Sequence, residues 1–110
     1  MSAKKKSVGK KSGPYLSIVL PVYNEEENLR PQYRTILEAV GPLNLSYEII
    51  FIDDGSTDSS PIILREIAKK DRNVRAVLFR RNFGQTAAMS AGIEYSLGEI
   101  IVFMDSDLQN

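Results

Sequence analysis

Residues 48–58 read Glu48-Ile49-Ile50-Phe51-Ile52-Asp53-Asp54-Gly55-Ser56-Thr57-Asp58. The first half is continuously apolar rather than alternating, which is the pattern of a parallel strand covered on both faces. The second half switches abruptly to turn-forming and helix-capping residues. The same layout recurs on either side. Leu16 to Val22 leads into Tyr23-Asn24-Glu25, Val74 to Phe79 into Arg80-Arg81-Asn82-Phe83-Gly84, and Ile100 to Met104 into Asp105-Ser106-Asp107.

Helical patterns fill the intervals. Leu29, Tyr33, Ile36, Leu37 and Val40 recur at offsets of three and four, predicting a helix that ends at Gly41-Pro42. Ile63, Leu64, Ile67 and Ala68 predict a second, with Asp58, Ser59 or Ser60 as N-cap and Pro61 in its first turn. A third runs from Thr86 to Leu97, where Ala87, Ala88, Ala91 and Gly92 let it lie close to a sheet and Gly98 stops it. The order βαβαβαβ predicts an α/β fold. Its sheet is mainly parallel, with right-handed crossovers and helices on both faces. Ligands of such sheets bind beyond the carboxyl ends of the strands, so the polar corners are the place to look for chemistry.

Composition narrows that chemistry. The chain has 110 residues, enough for one domain, and it contains no Cys and no His. Thiol nucleophiles, imidazole-based triads and zinc-finger ligand sets are therefore excluded, and any bound metal must take oxygen ligands, as magnesium or manganese does. The net charge is zero, but Lys4, Lys5, Lys6, Lys10 and Lys11 supply five of the fourteen basic residues, leaving the rest of the chain acidic. An acidic body is a poor nucleic-acid binder, and no nucleic-acid partner is expected. Residues 1–14 read as a disordered basic tail. No apolar run approaches the roughly 18 residues that span a bilayer. Leu16 to Val22 follows the lysines as a signal core would, but Pro21 interrupts it and Glu25, Glu26 and Glu27 follow, so secretion is not expected.

Asp105 and Asp107 lie two apart, so in extended geometry their carboxylates share one side and form a candidate hard-cation site. Asp53 and Asp54 are adjacent carboxylates after a buried run, which repel each other unless a partner offsets the cost. Turn formation alone accounts for Gly55, Ser56, Thr57 and Asp58. Arg81 suits a diphosphate, or else belongs to a solvated loop with Phe83 packed inward. There is no G-x-G-x-x-G after the first run and no G-x-x-x-x-G-K-[ST].

Four segments together resemble the family 2 glycosyltransferases of GT-A fold. They are Val19-Leu20-Pro21-Val22-Tyr23-Asn24-Glu25, Ile52-Asp53-Asp54-Gly55-Ser56-Thr57-Asp58, Arg81-Asn82-Phe83-Gly84 and Met104-Asp105-Ser106-Asp107-Leu108-Gln109. Within that family the R-N-F-G and D-x-D-L-Q segments are most like those of the polyprenyl-phosphate (dolichyl- or undecaprenyl-phosphate) hexosyltransferases. The resemblance implies a Rossmann-like nucleotide-sugar-binding half over residues 15–110, truncated after the fourth strand, with the acceptor side missing. It implies inverting transfer of a hexose from a UDP- or GDP-sugar, UDP by preference, to a lipid phosphate with Mn2+ or Mg2+. Pro21, Tyr23 and Glu25 then border the base, with Tyr23 stacking on it. Asp54, with Asp53 beside it, reads the base edge, and Arg81 and Gly84 belong to the nucleotide-sugar site. Asp105 lies near the ribose and Asp107 holds the metal, the two forming the catalytic pair. A cytoplasmic location, or the cytoplasmic face of a membrane, goes with it. The expectation is that this chain does not catalyse transfer alone.

Three other readings share parts of this pattern. A non-catalytic nucleotide-binding fragment would bind without turnover. A haloacid-dehalogenase-type phosphotransferase also uses Asp-x-Asp, but after its first strand rather than its fourth. A receiver-like domain has no use for the second Asp pair or the R-N-F-G loop.

Overall fold

The structure, a computed structural model, describes residues 2–5 and 13–105. Its elements run β1 (Ser2–Lys5), β2 (Leu16–Val22), α1 (Leu29–Val40), β3 (Tyr47–Asp53), α2 (Ser60–Lys70), β4 (Val74–Leu78), α3 (Gln85–Tyr95) and β5 (Ile100–Phe103). The strands form one sheet in the order β1-β5-β2-β3-β4. β5, β2, β3 and β4 are mutually parallel, with Leu16 opposite Tyr47 and Ile100, and Ile49 opposite Val74.

The continuous apolarity of the two central strands is spent on both faces. Ile18, Leu20 and Val22 of β2 and Ile49 and Phe51 of β3 pack with Leu29, Ile36, Leu64 and Ile67 of α1 and α2. Their neighbours in sequence, Val19, Ile50 and Ile52, point to the other face and pack with Ala88 of α3 and Ile101. Alternate residues thus serve opposite layers, as the strand period of two requires. Small residues bring α3 close. A Cβ added at Gly92 would lie 2.3 Å from Val19 Cγ1.

Pro21 sits in this central strand without breaking it. Val22 O accepts the Asp54 N–H at 2.8 Å toward β3, so the backbone of Pro21 faces β5. There the last ladder bond runs from Met104 N–H to Val19 O at 2.9 Å, and β5 needs no donor from position 21 beyond it.

Two expectations are corrected. Ser2–Lys5, read as part of a disordered tail, forms a strand antiparallel to β5, with Ser2 opposite Phe103 and Lys5 opposite Ile100. Main-chain pairing is indifferent to lysine side chains, and the free edge of β5 offers unpaired donors and acceptors. Gly98 does not stop the third helix, which ends at Tyr95; its N–H donates to Ser17 Oγ at 2.8 Å, where the chain crosses β2. α2 starts with Ser59 at the N-cap, but no side chain caps it from that position. Asp58 instead accepts the Ser60 N–H at 2.8 Å.

At the amino end of the sheet Glu48 is buried at 6% exposure. It accepts from Ser17 Oγ at 2.6 Å, Leu97 N–H at 2.7 Å and Arg75 Nη2 at 2.7 Å. A cleft of about 540 Å³ opens beside this network. Of its charged groups, Glu48 and Arg75 are paired with each other and Arg72 stands at its wall, while the polar corners lie at the opposite end of the sheet. We therefore place the chemistry in the second cleft, at the carboxyl ends of the strands.

Candidate functional site at the strand ends

The corner after β2 turns at Asn24, whose φ of 52° is left-handed, a conformation that asparagine tolerates better than most residues. Its side chain then ties two corners together. Asn24 Oδ1 accepts the Thr57 N–H at 2.8 Å, and the Asn24 N–H donates to Ser56 Oγ at 2.8 Å. Glu25 N–H donates to Ser60 Oγ at 3.0 Å, and Glu26 Oε1 accepts the Ser59 N–H at 2.8 Å. Ser56 and Thr57 of the D-D-G-S-T-D segment, with Ser59 and Ser60 just beyond it, thus hold the neighbouring corner.

The two adjacent carboxylates divide their work. Asp53, at 1% exposure, accepts the Ser56 N–H at 3.1 Å through Oδ2, while its Oδ1 is buried without a partner. Asp54, at 4%, has both oxygens engaged by the corner after β4.

That corner carries Arg81, whose guanidinium carbon lies 4.8 Å from the centre of the Phe83 ring. Phe83 also meets Phe79 edge-on at 5.7 Å. The alternative in which Phe83 packs inward is overturned, because the ring is 54% exposed. It serves as a platform for the arginine.

β5 delivers Asp105 to the same end. Its carbonyl accepts from Gln32 Nε2 at 2.9 Å, fixing the backbone where the Asp-x-Asp segment begins. Gln32 was missed in the sequence. The one signal available was an amide on the apolar face of α1, three residues after Leu29; it is 3% exposed.

These corners enclose a cleft of about 300 Å³ lined by Pro21, Tyr23, Glu25, Asp54, Gln85 and Asp105. Five of the residues singled out in the sequence therefore meet in one place. Tyr23 is 45% exposed and free to stack on a planar ring. Asp53, Arg81 and Gly84 lie on the same corners but do not line the cleft, and Asp107 falls outside the described residues. Among the described residues no three acidic side chains converge as a ready-made metal cage. The donors present, Glu25 and Asp105, are carboxylates on an open cleft, which fits a hard cation shared with a ligand's oxygens rather than one enclosed by protein. No helix among the described residues is long and apolar enough to cross a membrane.

Comparison with known proteins matches the same span. The family model described as Glycosyl transferase family 2 matches residues 17–110. An undecaprenyl-phosphate 4-deoxy-4-formamido-L-arabinose transferase of Pseudomonas fluorescens is 47% identical over 96 residues, covering 86% of this chain and 28% of its own length. An uncharacterized glycosyltransferase of Synechocystis is 43% identical over 95 residues, covering 86% of this chain and 30% of the relative. The chain thus spans about 30% of the length of the relatives it matches. Among solved structures, S. aureus TarS 1–349 in complex with UDP-GlcNAc superposes with a TM-score of 0.72 at 23% identity, covering 84% of this chain and 26% of that one. The mannosyltransferase PcManGT of Pyrobaculum calidifontis, in complex with GDP-Man and Mn2+, gives 0.67 at 24% identity, over 86% and 28%. Both likenesses give the fold, that of the GT-A glycosyltransferases.

Proposed function

The chain belongs to glycosyl transferase family 2, and on that premise we propose that it carries the donor site of an inverting glycosyltransferase that moves a hexose from a nucleotide sugar to a lipid phosphate. The observation that supports this reading is the convergence of Pro21, Tyr23, Glu25 and Asp105 on one cleft at the carboxyl ends of β2 and β5.

In this reading Tyr23 stacks on the base and Asp54, which lines the cleft, reads the base edge. Asp105 faces the ribose, and Arg81 at the rim attracts the diphosphate. Asp107 would hold a magnesium or manganese ion, which would neutralise charge on the departing diphosphate. An acceptor phosphate oxygen forms a bond to the anomeric carbon. The bond from that carbon to the diphosphate oxygen breaks, and the nucleoside diphosphate leaves with the electron pair. A lipid phosphate is already ionised at neutral pH, so the chain need not supply a strong base. The lipid acceptor goes with a site at the cytoplasmic face of a membrane. It is favoured by the 47% identity to a relative named for undecaprenyl phosphate, and UDP is preferred over GDP as donor only by resemblance.

A thermal melt tests the donor site. UDP or GDP with manganese is expected to raise the midpoint by mass action. The shift is expected to vanish with EDTA or in Asp107→Asn. A cooperative melt that neither nucleotide moves would sink the proposal.

A further inference from the structure

Gln32 is the one polar member of the buried side of α1, which it shares with Leu29, Ile36 and Val40. Its Nε2 donates to the Asp105 carbonyl at 2.9 Å, while its Oε1 is buried with no partner. The reverse orientation of the amide would set oxygen against oxygen, so the carbonyl fixes its sense. A leucine here would fill the apolar stripe without stranding an acceptor away from water. For packing alone the amide is inferior to leucine. What it adds is the contact with Asp105.

The place of that contact gives it meaning. β5 is bonded to β2 as far as Met104, whose N–H donates to Val19 O at 2.9 Å. The next β2 residue whose backbone faces β5 is Pro21, which has no N–H, so the main-chain ladder cannot be continued from that strand. Asp105, one residue beyond Met104, lines the cleft. Past the ladder, the Asp105 main chain is held from α1, by a side chain 73 positions away.

We infer that Gln32 is a positioning residue for the cation end of the cleft: its amide takes over where Pro21 ends the ladder, and so sets where Asp105 stands and where the chain toward Asp107 starts. Its functional part rests on the donor-site reading above, and the tether itself on the hydrogen bond and the orphaned oxygen. Gln32 does not line the cleft and acts through the main chain of Asp105. Replacing the amide by an apolar side chain leaves the stripe of α1 filled and the strands paired, but releases the strand end. Stability and cation-linked binding are therefore separable at this residue.

Gln32→Leu in the full 110-residue chain tests this in two arms. The first needs no ligand. In wild type, a scalar coupling through the hydrogen bond is expected between Gln32 Nε2 and the Asp105 carbonyl carbon, and its absence overturns the tether. In the variant, the urea midpoint is expected to equal or exceed that of wild type, while the backbone order parameter of Asp105 falls below about 0.6 and that of Ile101 holds. An Asp105 as ordered as in wild type, whatever the midpoint, makes Gln32 a packing residue and overturns the inference. Should this variant fail to fold, Gln32→Met takes its place, and if neither folds the wild-type coupling decides. The second arm titrates UDP and GDP with manganese. Gln32→Leu is expected to bind them about tenfold more weakly than wild type. Uridine and guanosine, which have no diphosphate to share a cation, are expected to lose nothing, as read from the Tyr23 ring resonances. Equal loss for nucleoside and nucleotide, or none for either, would overturn the positioning role. If wild type binds none of the four, the donor-site reading fails and the first arm alone judges the tether.

Discussion

Asp58 stands where the corners after β2 and β3 meet, accepting the Glu26 N–H at 3.2 Å and the Ser60 N–H at 2.8 Å. Burial pushes its carboxyl up, but the hydrogen bonds from Ser60 and Glu26 outweigh burial and hold it below the ordinary value of 3.8. A carboxyl whose folded value is depressed stabilises the fold above its unfolded value, and that contribution is lost as pH falls through the folded one. Asp58→Ala is therefore expected to give a shallower acid limb below about pH 4 in a circular-dichroism denaturation series. A limb as steep as wild type would show that this carboxyl does not report on the joint. Tyr33 is displaced in the opposite sense. Burial first, then the hydrogen bond it donates to Asp71 and that residue's charge, then Tyr47, push its phenol to about 12. Its contribution is present below the ordinary value of 10.0 and disappears as pH climbs toward 12. Residue identities at the site were legible in the sequence, because Pro21, Tyr23, Glu25, Asp54 and Asp105 do reach one cleft. The division of labour between Asp53 and Asp54 was not. Consecutive residues leaving a strand meet different neighbours, and the donors for Asp54 come from a corner that no local pattern links to it.

α3 shows what sequence patterning captures at the level of an element. The run of Ala87, Ala88, Ala91 and Gly92 reads as a helix that lies close to a sheet, and Ala88 and Gly92, one turn apart, are the buried pair. Gly92→Ala is expected to destabilise the chain by about 2 kcal/mol in urea denaturation, because overpacking forces strand or helix to move. A gain in stability would mean that helix propensity outweighs the 2.3 Å approach to Val19. α1 shows the converse. Its apolar stripe was legible, but Gln32 within that stripe serves a carbonyl 73 residues away, and nothing in a helical period points to such a partner. The buried Glu48 escaped for the same reason, since its donors Ser17, Arg75 and Leu97 come from three separate segments.

For the whole molecule, the βαβαβαβ order was readable because the two central strands are covered on both faces and each connector is amphipathic or small-faced. The fifth strand was not, because β1 is recruited by an open edge rather than by its own apolarity. Removing residues 1–5 is expected to bare the outer edge of β5 and to drive self-association through edge pairing, visible as a concentration-dependent increase in sedimentation coefficient. A truncated chain that stays monomeric across the same range would show that the edge is protected by other means. The length of chain that separates β5 from its partner carries a kinetic meaning. Gly98 and Ser17, whose bond marks where that strand joins the sheet, stand 81 positions apart. Closing so long a loop takes entropy before any pairing rewards it, so such strands join late during folding. The strand that presents Asp105 thus arrives after the other parallel strands, and β2, β3 and β4 are in place before the proposed donor cleft is complete.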